Sequence, residues 1–198
     1  MTSLLNRLIA KAARHLYLRR HQKAWGETPQ LAVSVSNLCV ELEGRQVGLR
    51  MYHGQPDKPM VIYAHGGGFV IGSLETHDRF CRALSVGSGC SLVSIDYRLA
   101  PEYTFPAAHD DCLDATEWVI ENLENLAPNN GLFILAGDSA GGNIAIASTL
   151  GISSAYTIAA QAKTAGEQIQ NNSILTLPQT VLATVPATTA VTAPSQPA

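Results

Sequence analysis

A serine between two glycines, Gly137-Asp138-Ser139-Ala140-Gly141, stands where an apolar run, Leu132-Phe133-Ile134-Leu135, gives way to a small-residue run, Asn143-Ile144-Ala145-Ile146-Ala147. That order predicts a strand, a sharp elbow and a helix, the arrangement that lifts a serine hydroxyl above a parallel sheet as a nucleophile. Ser139 is therefore the candidate nucleophile. Glycines on both sides fit a turn so strained that strand and helix backbones come too close for Cβ atoms. Taken alone, the same five residues fit equally well an ordinary strand-to-helix turn with Ser139 as the helix N-cap.

A second stretch adds chemistry that the first lacks. Met60 to Ala64 reads as a short buried strand, and it runs straight into His65-Gly66-Gly67-Gly68-Phe69. Three glycines after a strand can aim backbone N–H groups at a developing oxyanion, with a further N–H from the residue after the nucleophile, here Ala140. Gly66, Gly67 and Gly68 are all candidate donors, and the triplet does not say which of them donate. His65 reads as a residue that holds this loop by a hydrogen bond rather than as a base.

These stretches, together with Leu74-Glu75-Thr76-His77-Asp78, Asp96-Tyr97-Arg98-Leu99-Ala100-Pro101-Glu102 and Phe105-Pro106-Ala107-Ala108, resemble the hormone-sensitive-lipase-like branch of the α/β-hydrolases, bacterial acetyl esterases among them. The resemblance runs from about residue 30 to about residue 150. It implies a serine carboxylesterase that hydrolyses short-chain acyl esters through an acyl-enzyme, with no cofactor and no metal. His77 and Asp78 resemble a pair that supports the glycine loop. As an alternative, the chain is a non-catalytic remnant or binding protein of the same fold, or half of an assembly completed by a partner chain.

The elements that must position these residues follow from periodicity. Residues 4 to 25 carry Leu4, Leu5, Leu8, Ile9, Ala12, Leu16 and Leu18 among Arg7, Lys11, Arg14, Arg19, Arg20 and Lys23, a basic amphipathic helix. Arg7 and Lys11 interrupt any signal-peptide core. The resemblance assigns this helix to a cap over the active site, with a membrane-surface role as the other reading. Leu31 to Leu42 and Gln46 to Tyr52 alternate as an antiparallel pair about Glu43-Gly44. Thr76 to Val86 has helical spacing, Ser91 to Ile95 is a strand, Ala107 to Leu126 a helix, and Leu132 to Ala136 the elbow strand. Strands alternating with helices imply an α/β class with a mostly parallel sheet and flanking helices. The expected division is a cap segment over 1–28, the N-terminal part of an α/β-hydrolase domain over 29–150, and a low-complexity tail over 151–198.

Composition fits a globular domain of 198 residues, 46% hydrophobic and 15% charged. A net charge of −3 gives no reason to expect nucleic acid as a partner. Cys39, Cys81, Cys90 and Cys112 form no C-x-x-C pair, so neither zinc nor a disulfide framework is indicated, and free thiols fit the cytoplasm. Asp110, Asp111, Asp114 and Glu117 fall at helical spacing with His109 and read as a solvated face, since no oxygen-rich loop accompanies them. Arg98 and Glu102 flank a proline turn and are expected to pair with each other or with nearby backbone.

The difficulty lies beyond Leu150. A serine needs a histidine base oriented by a carboxylate, and in this fold both follow the nucleophile in the chain. All six histidines, His15, His21, His53, His65, His77 and His109, precede Ser139, and Glu167 is the one carboxylate side chain after it. From Gly151 onward Ala, Thr, Ser, Gln, Val and Pro dominate, which reads as disordered or weakly extended chain. No stretch reads as a membrane span, because prolines and threonines break every apolar run. Asn171-Asn172-Ser173 is a glycosylation acceptor in form only. The expectation is a frameshift or premature join near codon 150, with a deliberately short relative as the other explanation; an acid and a histidine segment in another frame would decide for the first. Ending the fold there would leave Leu132 to Ala136 as a bare sheet edge open to self-association, unless Ile174 to Leu177 or Val181 to Val185 pairs along it.

Overall fold

The computed structural model describes residues 4–25, 33–42, 44–127, 131–156 and 183–186. Within them the chain runs α1 (Leu4–Trp25), β1 (Ser34–Leu42), β2 (Arg45–His53), β3 (Met60–Ala64), α2 (Leu74–Ser88), β4 (Ser91–Asp96), α3 (Ala107–Glu121), α4 (Leu123–Leu126), β5 (Leu132–Gly137), α5 (Ala140–Tyr156) and β6 (Ala183–Pro186). The strands form one mixed sheet in the order β1-β2-β4-β3-β5-β6. Parallel pairing is confined to its centre, where β3 lies between β4 and β5, and the flanking pairs are antiparallel.

Alternation along β3 explains why this centre is dry on both faces. Met60, Ile62 and Ala64 point into a cluster with α3 and α5 residues such as Cys112, Ala115 and Ile144, whereas Val61 and Tyr63 join Cys81 of α2 on the other side. A strand covered on both faces must be apolar at every position. Each fully buried side chain of the size of Leu49, Leu92 or Leu135 contributes roughly 1.5–3 kcal/mol.

Local signals set the helix ends. Ser73 caps α2 in a reciprocal box with Thr76, and Gly89 closes it in a left-handed conformation at φ 73°. The helix expected over 107–126 is broken at Asn122, which stands at φ −104°, ψ 12° between α3 and α4. Its side-chain amide donates to the Trp118 carbonyl at 2.8 Å, offering that carbonyl a partner outside the helical ladder.

Two expectations about charge do not hold. Asp111 lies on no solvated face: it is fully buried and accepts from Arg45 Nε at 2.7 Å, from the Arg98 guanidinium at 2.7 Å and from the Arg98 backbone N–H at 2.9 Å. Asp114 pairs with Arg45 as well. Arg98 is thus committed to Asp111, and Glu102 pairs with Arg14 of α1 at 2.7 Å instead. Arg14 also donates to the Val70 carbonyl at 2.7 Å and the Ala100 carbonyl at 2.6 Å, tying α1 to the loop after β3. Leu4, Leu5, Leu8, Ile9 and Leu16 of α1 remain exposed, while Ala10 is buried.

Beyond Leu150 the described residues are 151–156 and 183–186. α5 continues through Leu150 to Tyr156, and residues 183–186 run antiparallel to β5, Phe133 opposite Val185 and Leu135 opposite Ala183. The outer side of β5 is therefore paired over Leu132 to Leu135, by part of the Val181 to Val185 segment that the sequence offers as the alternative to a bare edge. The remainder of the tail, including Asn171-Asn172-Ser173 and Ile174 to Leu177, lies outside the described residues. Among the described residues, no helix is long and apolar enough to cross a membrane.

Burial alone raises the affinity of the Asp111 carboxylate for a proton, but hydrogen bonds from Arg98 and Arg45 outweigh it and hold the group below the ordinary carboxylate range. Asp111→Ala would leave two arginines facing a dry pocket. Removing one member of a buried pair costs about 3–5 kcal/mol, and the lower end is expected here because both arginines keep some access to water. Urea unfolding monitored by circular dichroism checks this, and an unchanged midpoint would contradict it.

Candidate active site

The register of the parallel centre brings the two chemical stretches together. Ala64, the last residue of β3, pairs with Gly137, the last of β5, so the glycine loop and the elbow leave the sheet side by side. This is where the strand order reverses about β3, the crevice at the carboxyl ends of strands in which open α/β sheets bind ligands.

Ser139 occupies the elbow at φ 52°, a left-handed conformation that costs a non-glycine residue roughly 1–2 kcal/mol. The surroundings enforce it. A Cβ on Gly137 would stand 2.3 Å from the Gly141 backbone, and one on Gly141 would stand 2.0 Å from the Ala64 carbonyl oxygen. Both glycines are therefore required by backbone contact between β3, the elbow and α5, and the ordinary N-cap turn is not what forms. The Asn143 N–H donates to the Ser139 carbonyl at 3.2 Å as α5 begins.

The glycine loop is fixed peptide by peptide. The Gly66 N–H donates to Asp138 Oδ1 at 2.7 Å, so Gly66, one of the three candidate oxyanion donors, is already spoken for. The Gly66 carbonyl accepts from His65 Nδ1 at 2.8 Å, and because a trans peptide points its N–H opposite to its C=O, the Gly67 N–H is turned away from buried His65. The Gly67 carbonyl likewise takes the N–H groups of Val70 at 3.2 Å and Ile71 at 3.0 Å, which turns the Gly68 N–H out of that turn. Gly67 at φ 129° and Gly68 at φ 60° need the freedom of glycine for this. A Cβ on Gly67 would also meet the Ile71 carbonyl oxygen at 2.1 Å. Gly67, Gly68 and Ala140 thus remain as the candidate donors.

His65 bonds into the glycine loop through its ring. It is fully buried, its carbonyl accepts from the Tyr97 hydroxyl at 2.6 Å, and its ring stacks on Tyr97 at 4.2 Å. Burial drives its pKa down to about 4, with the Gly66 carbonyl only partly opposing, so the ring is neutral at pH 7. Asp138 is the residue that sequence reasoning left without a role. Its carboxylate receives the Tyr63 hydroxyl at 2.5 Å as well as the Gly66 N–H, and His77 Nε2 lies 3.5 Å away. Burial pushes its pKa up, but His77, Tyr63 and Gly66 outweigh this and bring it down to about 2. Asp78, by contrast, pairs with Tyr52, Arg50 and Arg82. His109 stands on the rim, its Nε2 3.1 Å from Asn143 Oδ1 and its ring 5.3 Å from Phe69. Among the described residues, no cluster of metal-ligating side chains is present.

A family profile described as alpha/beta hydrolase fold matches residues 61–196. The chain belongs to that family. The match runs well past the region in which the motifs alone show the resemblance, and the hormone-sensitive-lipase-like branch is borne out by the relatives. Esterase LipI of Mycobacterium tuberculosis is 45% identical over 116 residues, covering 56% of this chain and 36% of its own. Ethyl acetate hydrolase of Pseudomonas putida is 39% identical over 108 residues, covering 52% and 34%. A Pyrobaculum calidifontis esterase structure superposes with a TM-score of 0.67 at 38% identity, covering 75% of this chain and 48% of that one. The chain thus spans about a third of the length of these curated relatives and about half of the solved one.

Two titrations in this site have predictable signs. His65 and Asp138 both have folded pKa values below the ordinary ones of about 6.5 and 4, so the stability each contributes is present above those values and is lost as pH falls. Melting temperature is expected to fall between pH 6.5 and about 4 as His65 must protonate, and again from about 4 to 2 through Asp138. Asp138→Asn should shrink the second step, in which the depressed Asp111 carboxylate also takes part, and leave the first. Gly141→Ala, which drives a methyl into the Ala64 carbonyl, should lower the melting temperature far more than Gly68→Ala, whose Cβ meets nothing within 4 Å.

Proposed function

We propose that this protein is a serine carboxylesterase scaffold whose substrates are small acyl esters. The observation that carries the reading is the left-handed Ser139, wedged between two glycines that admit no Cβ and set at the end of a strand paired with the one that leads into the glycine loop. In the proposed reaction Ser139 Oγ attacks the ester carbonyl carbon. The carbonyl oxygen, now carrying the electron pair of the broken π bond, is held by the N–H groups of Gly67, Gly68 and Ala140. Collapse of the tetrahedral species expels the alcohol with a proton, and water then releases the acid from the acyl-serine. No cofactor is needed for these steps. The names of the relatives, an esterase and an ethyl acetate hydrolase, support the substrate class. Free thiols at Cys39, Cys81, Cys90 and Cys112 support a cytoplasmic setting, and the net charge of −3 supports the absence of a nucleic-acid partner.

What this sequence supplies is the nucleophile and oxyanion half of the machinery. No histidine follows Ser139, and among those that precede it His65 is buried against the Gly66 carbonyl, His77 faces Asp138 and His109 faces Asn143. Loss of the base costs a Ser-His-Asp enzyme roughly 10⁶-fold in kcat, about 8 kcal/mol, and the remainder comes from oxyanion stabilisation and binding. The purified chain is therefore expected to hydrolyse p-nitrophenyl acetate barely above a Ser139→Ala control, while a fluorophosphonate labels Ser139 slowly and selectively, as read by peptide mass spectrometry. A fast, saturable rate abolished by Ser139→Ala would show that a base is at hand, with His109→Ala the first variant to test. Labelling spread over other serines would sink the nucleophile assignment.

A further inference from the structure

Asp138 occupies the variable position of the elbow, yet its side chain is more firmly held than that of Ser139. One oxygen, Oδ1, collects the Tyr63 hydroxyl from β3 at 2.5 Å and the Gly66 N–H from the loop after it at 2.7 Å, with His77 Nε2 of α2 at 3.5 Å. A carboxylate oxygen has lone pairs for two strong donors, and charge-assisted bonds of this kind are about twice as strong as neutral ones. The fit is mutual: a Cβ on Gly66 would stand 2.1 Å from Asp138 Oδ2, so the carboxylate lies flat against the Gly66 Cα and only glycine admits it there.

The consequence concerns the next two peptides. With its N–H bound to Asp138 and its carbonyl bound to His65, Gly66 is fixed at both ends, and the planes of the peptides that follow are set from it. We propose that Asp138 is the positioning residue of the oxyanion hole: its carboxylate oxygen withdraws Gly66 from the donors and clamps the glycine loop to the elbow, so that the Gly67 and Gly68 N–H groups face the atom held by Ser139. This rests on the reading of Ser139 as nucleophile and of Gly67, Gly68 and Ala140 as oxyanion donors. Asp138 touches neither substrate nor reacting atoms, and it acts through the loop. The acceptor geometry carries the effect, so a neutral isostere keeps it.

The test compares the full chain with Asp138→Asn, Asp138→Ala and Gly66→Ala, using the rate at which a fluorophosphonate phosphonylates Ser139, with loss of fluoride. Amide exchange of Gly66 is read by NMR on the same samples, below the melting temperature of each. Removing an oxyanion donor costs about 10²- to 10³-fold, so displacing the loop by loss of its clamp should slow labelling about 10²-fold in Asp138→Ala. Asp138→Asn, whose Oδ1 still accepts from Gly66 and Tyr63, should stay within about 5-fold of the parent and keep Gly66 protected, which a general loss of stability would not reproduce. If Asp138→Ala does not fold, Gly66→Ala carries the same test, since its methyl displaces the carboxylate. Labelling at the parent rate in either folded variant overturns the proposal, as does Asp138→Asn slowed as much as Asp138→Ala. Failure of the parent itself to label at Ser139 overturns the nucleophile reading and the proposal with it, whereas a labelled parent with unaffected variants overturns the proposal alone.

Discussion

The site depends on the closeness of three backbones. Where β3 and β5 end in register, at Ala64 and Gly137, α5 begins so near that Gly137 would strike Gly141, and Gly141 the Ala64 carbonyl, if either carried a Cβ. Contact of this kind cannot relax by a side-chain rotation, because the atoms in the way are main chain. It forces the intervening residue to reverse direction in a left-handed conformation, and that residue is Ser139. The strain at Ser139 is thus the local expression of how tightly a helix is packed on the centre of the sheet, and the sheet's dry, two-faced core is what holds it there.

Charge is used in this fold to fasten loops rather than to cover surface. Asp111 takes two arginines and a backbone N–H, joining the turn after β4 and the start of β2 to α3. Asp138 joins β3, the glycine loop and α2 to the elbow. Arg14 reaches from α1 to two carbonyls and a carboxylate in the loops beside the crevice. Each group sits where irregular backbone leaves carbonyls or N–H groups that no ladder can satisfy, and each such group buried unpaired would cost about 1–3 kcal/mol.

This explains what the sequence disclosed and what it withheld. Glycine patterns were legible because only glycine tolerates the close backbone approach at residues 67, 137 and 141, so residue type and geometry are nearly equivalent there. The strands and their sequence along the chain followed from apolar runs and those glycines, whereas their order in the sheet did not. Asp111 was misread because helical spacing cannot tell a solvated face from one facing arginines that lie 13 and 66 residues away in sequence. The role of Asp138 was hidden for the same reason: its partners Gly66 and Tyr63 are 72 and 75 residues distant, and its own position in the motif tolerates many types. The pairing of residues 183–186 along β5 was named as an option, but a short apolar alternation in a biased segment fits many registers, and only the outer side of β5 selects one.

The division of labour within the sheet bears on how catalysis is assembled. Ser139 and the glycine loop both hang on β3 and β5, adjacent parallel strands whose mutual pairing and α5 cover lie between residues 60 and 156. Their geometry is closed by contacts among Ala64, Gly66, Gly137, Asp138 and Gly141. A base, by contrast, must approach Ser139 Oγ from outside this frame, since the inner side of the elbow is filled by the Ala64 backbone and by Asp138. In the proposed reaction, electrostatic stabilisation is therefore preorganised by the centre of the sheet, while proton transfer depends on whatever element is laid across its open carboxyl end. In such a design the first can be complete and measurable without the second, because the oxyanion hole is built from main-chain dipoles fixed in folding and the base from a side chain that only has to arrive.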